Sequence, residues 1–302
     1  MSPRFQALSG KLLPKYDYFR GTVEEHPLTL ADALYEDLEM GGRTTCKGPP
    51  QYDHSVGLWK DRATMETKAP DIVVSYGGNN GADPGVLTRG GFADALLPVL
   101  RANWPHQARA TRIDSCVDLW DCFDPIEAEM QRMHSERRLK RNRYGVPETG
   151  QTFMLGSSKA PVQARLYEKG LQQRPNIHPL EWPLFAFWTR LEVEYHPRAA
   201  EKDQAIHLSA LDVWGTARWS ADLLQWVGDL NPTIMRRTPT MERTALERLE
   251  WLFRQHRRTI LEVGAEDAMR LLQAVLTGDL GPLPQTNARS STGRSEAGRT
   301  IQ

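Results

Sequence analysis

A short alternating stretch, Ala164-Arg165-Leu166-Tyr167-Glu168-Lys169-Gly170, sets a phenol between two cations. In a β-strand successive side chains point to opposite faces, so Arg165, Tyr167 and Lys169 would share one. Thr111 to Asp118 alternates in the same way, with Arg112, Asp114, Cys116 and Asp118 opposite Ile113, Ser115 and Val117. Thr189 to Tyr195 sets Arg190, Glu192 and Glu194 opposite Leu191 and Val193. With the three strands side by side and their polar faces aligned, one sheet surface would carry a tyrosine, several carboxylates and several cations. Those groups suit metal-assisted attack by tyrosine on a phosphodiester.

The chemistry makes demands on each group. A tyrosine with a pKa of about 10 is a poor nucleophile at neutral pH and needs deprotonation or neighbouring positive charge. Arg165 and Lys169, two residues to either side of Tyr167, would favour the phenolate and offset charge building on the phosphorus oxygens. Clustered carboxylates repel one another unless a cation sits among them, and an all-oxygen set suits Mg²⁺ or Mn²⁺. On the alternation alone, Tyr167 reads first as an ordinary half-buried strand tyrosine. Arg190 with Glu192, or Arg165 with an acidic neighbour, reads equally as cross-strand ion pairing on a solvated face. Asp118, just before Leu119-Trp120 near a strand end, has a structural reading. Cys116 reads as a small filler, and His178 and His196 as loop or surface residues.

The elements that must position these groups can be read along the chain. Asp17 to Val23 reads as a strand, and Thr29 as the N-cap of a helix that Gly41-Gly42 ends. Residues 51–76 read as strand and turn, and Gly77 to Gly81 as a turn, because no Lys-Ser/Thr follows to make a phosphate loop. An amphipathic helix is expected over 91–103 despite Pro98. After the Asp114 strand, Pro125 would open a helix that the basic stretch 131–143 continues. Thr152 to Leu155 and Val162 to Lys169 form strands around Gly156-Ser157-Ser158-Lys159, and 171–183 is a loop. Beyond Pro197, residues 207–229, 241–260 and 265–277 read as helices, followed by a Gly/Pro/Ser/Thr/Arg tail. No internal repeat is evident. The expected architecture is α+β, a largely antiparallel sheet with helices packed on one face, followed by a helical C-terminal region. Its expected segments are an extension 1–15, a catalytic domain 16–200, a helical region 201–278 and a disordered tail 279–302.

Net charge is zero, so no global basic field announces a nucleic-acid partner. The charge is unevenly spread, however. Residues 131–144 hold six Lys/Arg against one Glu, and residues 236–258 seven Arg against three Glu, and such local patches matter more for DNA than the total. Arg137, Arg138, Lys140 and Arg141 in the first patch, and Arg254 and Arg257 in the second, are the expected DNA contacts, although a solvated helix face fits the same pattern. Three cysteines form no paired framework, and no apolar run is long enough for a membrane span. A cytoplasmic protein is expected.

In order and spacing, Arg112-Ile113-Asp114 with Val117-Asp118, then Leu155-Gly156-Ser157 with Lys159 leading into Arg165-Leu166-Tyr167-Glu168-Lys169, then Arg190, Glu192 and Glu194 resemble the Rep_trans group of replication initiation factors. That group includes rolling-circle initiators of plasmids and related proteins of filamentous phages and integrative elements. The resemblance implies origin nicking and strand transfer, with Tyr167 as the nucleophile that keeps the 5′ phosphate and frees a 3′-OH primer. It implies a divalent metal, Mg²⁺ or Mn²⁺, on Asp114, Glu192 and Glu194, with Asp118 as a fourth ligand. It also implies single-stranded or hairpin origin DNA as substrate, with a host helicase and a second copy of the chain as partners. Two other functions stand beside this one: a non-enzymatic DNA-binding replication accessory of the same fold, and a nuclease that activates water and leaves no adduct.

Overall fold

The computed structural model describes residues 12–78 and 83–235, together with Phe5, Ala7 and Arg270. The chain divides into two compact units, Met1–Pro239 and Thr240–Gln302. The expected helices at 241–260 and 265–277, the tail, and Arg254 and Arg257 lie outside the described residues, and the rest of this description concerns the first unit.

Along that unit run β1 (Lys15–Val23), α1 (Pro27–Asp37), β2 (Gly42–Thr45), β3 (His54–Trp59), β4 (Ile72–Tyr76), β5 (Gly85–Arg89) and α2 (Phe92–Asn103). There follow β6 (Ala108–Trp120), α3 (Phe123–Arg137), β7 (Arg141–Val146), β8 (Gly150–Leu155), β9 (Val162–Tyr167), α4 (Lys169–Gln173) and β10 (Trp188–Tyr195). Short helices α5 (Lys202–Ala205) and α6 (Ala210–Val213) lead into α7 (Arg218–Gly228). The fold is α+β. Among the described residues the strands make one sheet in the order β2-β3-β4-β5-β1-β6-β10-β9-β8-β7, every neighbouring pair antiparallel.

That order contains a repeat. The first half runs strand, helix, four strands, helix, and its first strand pairs with its last (β1 with β5). The second half pairs its strands in the same order, β6 with β10, but inserts α4 between β9 and β10, and the halves meet where β1 pairs with β6. The expectation of no internal repeat is thus overturned at the level of topology. Sequence hides the repeat because the two halves differ where chemistry resides. On the face that carries Tyr167 and Glu192 in β9 and β10, β4 and β5 offer Val73, Ser75, Leu87 and Arg89, with no carboxylate and no tyrosine among them.

Alternation explains where the core sits. Phe19, Val23, Ile113, Val117, Leu119, Leu166, Leu191 and Val193 are buried on one side of the sheet, under α1, α2, α3 and α6. Helix α1 starts earlier than the Thr29 cap would place it, because Pro27 supplies the preset φ and the missing N–H that suit a first helical turn. Helix α3 ends at Arg137, short of the expected 143. Arg138 turns left-handed (φ 53°), and the chain then enters β7, an exposed edge strand whose polar sequence gave no strand signal.

Residues 202–228 are tied to the sheet. Ser115 Oγ donates to the Ala210 carbonyl at 2.6 Å and accepts from the Trp214 indole at 3.0 Å. Arg101 donates to the carbonyls of Ile206 (2.7 Å) and Leu208 (2.8 Å). The expected division after residue 200 therefore falls inside the first unit. No helix among the described residues is long and apolar enough to cross a membrane.

Candidate active site

The three motif strands are neighbours in the order β6-β10-β9, and register aligns their polar positions in rows across the face opposite α1, α2 and α3, which the short α4 caps beside Tyr167. One row reads Tyr144, Thr152, Tyr167, Arg190, Asp118. The next reads Asn142, Met154, Arg165, Glu192, Cys116. The third reads Gln163, Glu194, Asp114, Tyr18. Rows two residues apart lie about 7 Å from one another.

Tyr167 ends β9 and is 9% exposed. Its hydroxyl donates to Glu192 Oε2 at 3.2 Å, and Glu192 is fully buried. Burial first, and the charge of Glu192 second, push the phenol above its ordinary pKa, against the pull of Arg190 and Arg165. The expected phenolate, favoured by flanking cations, is therefore not the resting state. The reason lies in where those cations go. Arg165 is ion-paired to Glu192 and lies 3.8 Å from Asp114. Lys169 does sit over the Tyr167 ring, with Nζ 5.4 Å from its centre, but burial and the nearby Arg190 lower its own affinity for a proton.

The carboxylates fall into two networks. In the first, Arg112 binds Asp114 through two hydrogen bonds (2.8 and 2.5 Å) and reaches Glu194 at 2.7 Å. Glu194 in turn pairs with His196 at 2.5 Å. His196, expected as a surface residue, thus belongs to the site, half-exposed at its rim. Asp114 is 1% exposed, and burial pushes its carboxyl up to about 8, with repulsion from Glu192 and Glu194 adding to the rise and Arg112 opposing it. Burial works the same way on Glu194, but His196 and Arg112 outweigh it and hold that carboxyl below its usual range.

Asp118 belongs to the second network. Both its oxygens accept from Arg190 (2.6 and 2.9 Å), while Lys15 and the Trp188 indole bind it at 2.6 and 2.8 Å. Asp17, the extra residue where β1 bulges against β6, pairs with Arg190 at 2.5 Å. Four residues along β6, Asp118 is about 13 Å from Asp114, so the structure sets it apart from the other three acids and supports its structural reading. Cys116 is fully buried on the face, its thiol pushed up by burial, as suits a filler.

Asp114, Glu192 and Glu194 offer hard oxygens from adjacent strands on one face. That donor set fits Mg²⁺ or Mn²⁺ in kind. Among the described residues no group of three His, Cys, Asp or Glu is arranged to hold a metal ion, because guanidinium groups occupy the carboxylates.

The expected DNA contacts of 137–141 lie at the far edge of the sheet. Arg137 pairs with Asp222 of α7 at 2.6 Å, toward the helices. Arg141 pairs in register with the buried Leu155, and its neighbour Arg143 reaches Glu127 of α3, which puts both arginines on the helix side. Arg138 and Lys140 are exposed between α3 and β7.

No protein-family model matches the chain, and no curated protein does. Among solved structures the chain is similar to a rolling-circle replication initiator protein from Geobacillus stearothermophilus, at 18% identity and a TM-score of 0.48, over 80% of this chain and 96% of that one.

Proposed function

We propose that the protein nicks and rejoins DNA through Tyr167, as a rolling-circle replication initiator of the Rep_trans type. The hydrogen bond from the Tyr167 hydroxyl to the buried Glu192 carries this reading, because it pairs a nucleophile with a base on the sheet face that bears the polar rows. The ordered motifs from Arg112 to Glu194 support it.

In the proposed step Tyr167 Oη attacks the scissile phosphorus and its proton passes to the Glu192 carboxylate. The bond from phosphorus to the 3′ oxygen breaks, and that oxygen takes a proton from solvent, leaving a 5′ phosphotyrosine and a 3′ hydroxyl. Arg165 holds Glu192 in place and, with Lys169, faces the charge that builds on the phosphate oxygens. A divalent cation that displaced the Arg112 guanidinium would be held by Asp114 and Glu194, leaving Glu192 to take the proton, and when bound would supply charge neutralisation at the phosphate. Rejoining reverses the order, since the phosphotyrosine conserves the bond.

The test uses a pool of random-sequence single-stranded oligonucleotides with Mn²⁺, read by denaturing gel and by mass spectrometry of the adduct. We expect a nucleotide on Tyr167, and none on Tyr167→Phe, which should fold within about 1–2 kcal/mol of the parent. An adduct formed by Tyr167→Phe would exclude Tyr167 as the nucleophile. Cleaved ends without an adduct would point to a water-activating nuclease, and retention without cleavage to a DNA-binding accessory.

A further inference from the structure

Beside the first carboxylate network the same sheet face holds a cavity of about 330 Å³, at the low end of the range for small-ligand sites. It lies over β1 and β6, where Tyr18 pairs in register with Asp114 and Arg20 with Arg112. Its working side chains are Tyr18, Arg20, Tyr52, Arg112, His196 and Lys202. Two of these are aromatic and four are cations or can become one. Arg112 and His196 are committed to Glu194, and the Arg112 guanidinium covers the Tyr18 ring at 4.5 Å. Arg20 and Lys202 have no carboxylate partner among the described residues, although each borders the cavity.

Room for Tyr52 is built in. A side chain at Gly85 would meet the Tyr52 hydroxyl at 2.3 Å, so the glycine lets that ring lie against the sheet. The cavity therefore offers aromatic surface at one place and free positive charge at another, which is the pairing that holds an unpaired nucleotide by its base and its phosphate. A purely anionic ligand would leave the tyrosines unexplained, and an apolar one the cations.

We infer that this cavity binds one unpaired nucleotide of the same DNA strand that Tyr167 cleaves, with the base against Tyr52 and the phosphate between Arg20 and Lys202. The inference rests on the proposed nicking function for the identity of the strand. From β9 to β1 is three strand spacings, about 14 Å, so the nucleotide held here lies a short way along from the scissile phosphate. Holding it fixes which phosphate reaches Tyr167.

The experiment measures binding by fluorescence anisotropy in the Tyr167→Phe background, where no strand is cut. A short single-stranded oligonucleotide that the parent protein cleaves, or a fixed random sequence if none is cleaved, is scanned with one abasic position at a time. We expect one position at which losing the base weakens binding roughly fivefold to a hundredfold. Adding Tyr52→Leu should erase that sensitivity, and Arg20→Gln should weaken binding of every oligonucleotide while leaving the sensitive position in place. Gly85→Val, which displaces the Tyr52 ring without touching its chemistry, should mimic Tyr52→Leu. Circular dichroism and urea unfolding report whether each variant folds. If Gly85→Val fails to fold, Tyr52→Leu decides alone.

An abasic scan with no sensitive position, or a sensitive position unchanged by Tyr52→Leu, would overturn the inference. So would saturable binding of a deoxynucleoside monophosphate that depends on Tyr52 in the absence of any sensitive position, which would assign the cavity to free nucleotides. The two readings fail separately. An adduct at Tyr167 without a Tyr52-dependent position removes only the cavity, whereas a Tyr52-dependent position without an adduct removes only the nicking chemistry.

Discussion

At the residue scale the deciding group is Glu192. It accepts from Tyr167, pairs with Arg165 and is fully buried, so its charge raises the phenol and also stands ready to take its proton. We predict that Glu192→Gln slows adduct formation by about 10²–10⁴-fold, the usual weight of a positioned base. The sign of the pH effect follows from the same charge. Removing it lowers the Tyr167 pKa, but the phenol must then lose its proton to solvent, so the residual rate should climb with pH across the whole neutral range. A rate in Glu192→Gln that is flat with pH would exclude Glu192 as the base.

Asp114 provides a second test at this scale. Its folded pKa is pushed up to about 8, above the unfolded value of about 3.9. Between those values the folded metal-free protein binds more protons than the unfolded chain, so this group makes stability fall as pH rises from about 4 to about 8. Asp114→Asn should flatten that fall in urea unfolding. A metal needs the ionised carboxylate, so Mn²⁺ affinity in the parent should rise with pH up to about 8, and titration calorimetry in two buffers should show proton release. Mn²⁺ binding that is insensitive to pH would remove Asp114 from the ligand set.

At the element scale, strands with one buried face were legible and the edge was not. The alternation of Arg165 and Tyr167, and of Ile113 with Asp114, reported burial on one side, and the three strands are neighbours with their polar faces aligned, although the expected strand through Lys169 stops at Tyr167 and Lys169 opens α4. What alternation does not contain is the partner of each charge. Glu192 binding Tyr167, Arg190 binding Asp118 and Asp17 entering at a bulge all depend on register between strands distant in sequence. Strand β7 escaped for the opposite reason, since exposed on both faces it needs no apolar period. The left-handed Arg138 at the end of α3 gives a prediction here. A side chain in that region is disfavoured by about 1–2 kcal/mol, partly offset in glycine by its freer unfolded state. Arg138→Gly should therefore stabilise the protein by about 0.5–1 kcal/mol in urea unfolding, while Arg138→Ala should not.

At the scale of the whole first unit, two halves with matching strand pairing share a sheet, and the Tyr167 strand lies in the second. A neutral chain must hold an anionic polymer by the placement of its charge and not by its total. The placement favours the face that bears the polar rows, where Arg20 and Lys202 stand without a carboxylate partner among the described residues, beside Arg112 and His196. Arg137 is spent on Asp222, and Arg141 points to the helix side. Each phosphate contact on single-stranded DNA contributes about −0.7 to the slope of log affinity against log salt. Arg20→Gln with Lys202→Gln, which together hold one phosphate, should thus shallow the slope by about 0.7, whereas Arg137→Ala with Arg141→Ala should leave it unchanged. Both pairs remove two positive charges, so a general field effect would move them equally and only direct contact separates them. Equal shallowing would mean that the strand passes around the β7 edge onto the helical side, and the Tyr167 face would then be the site of cleavage without being the main surface that holds the DNA.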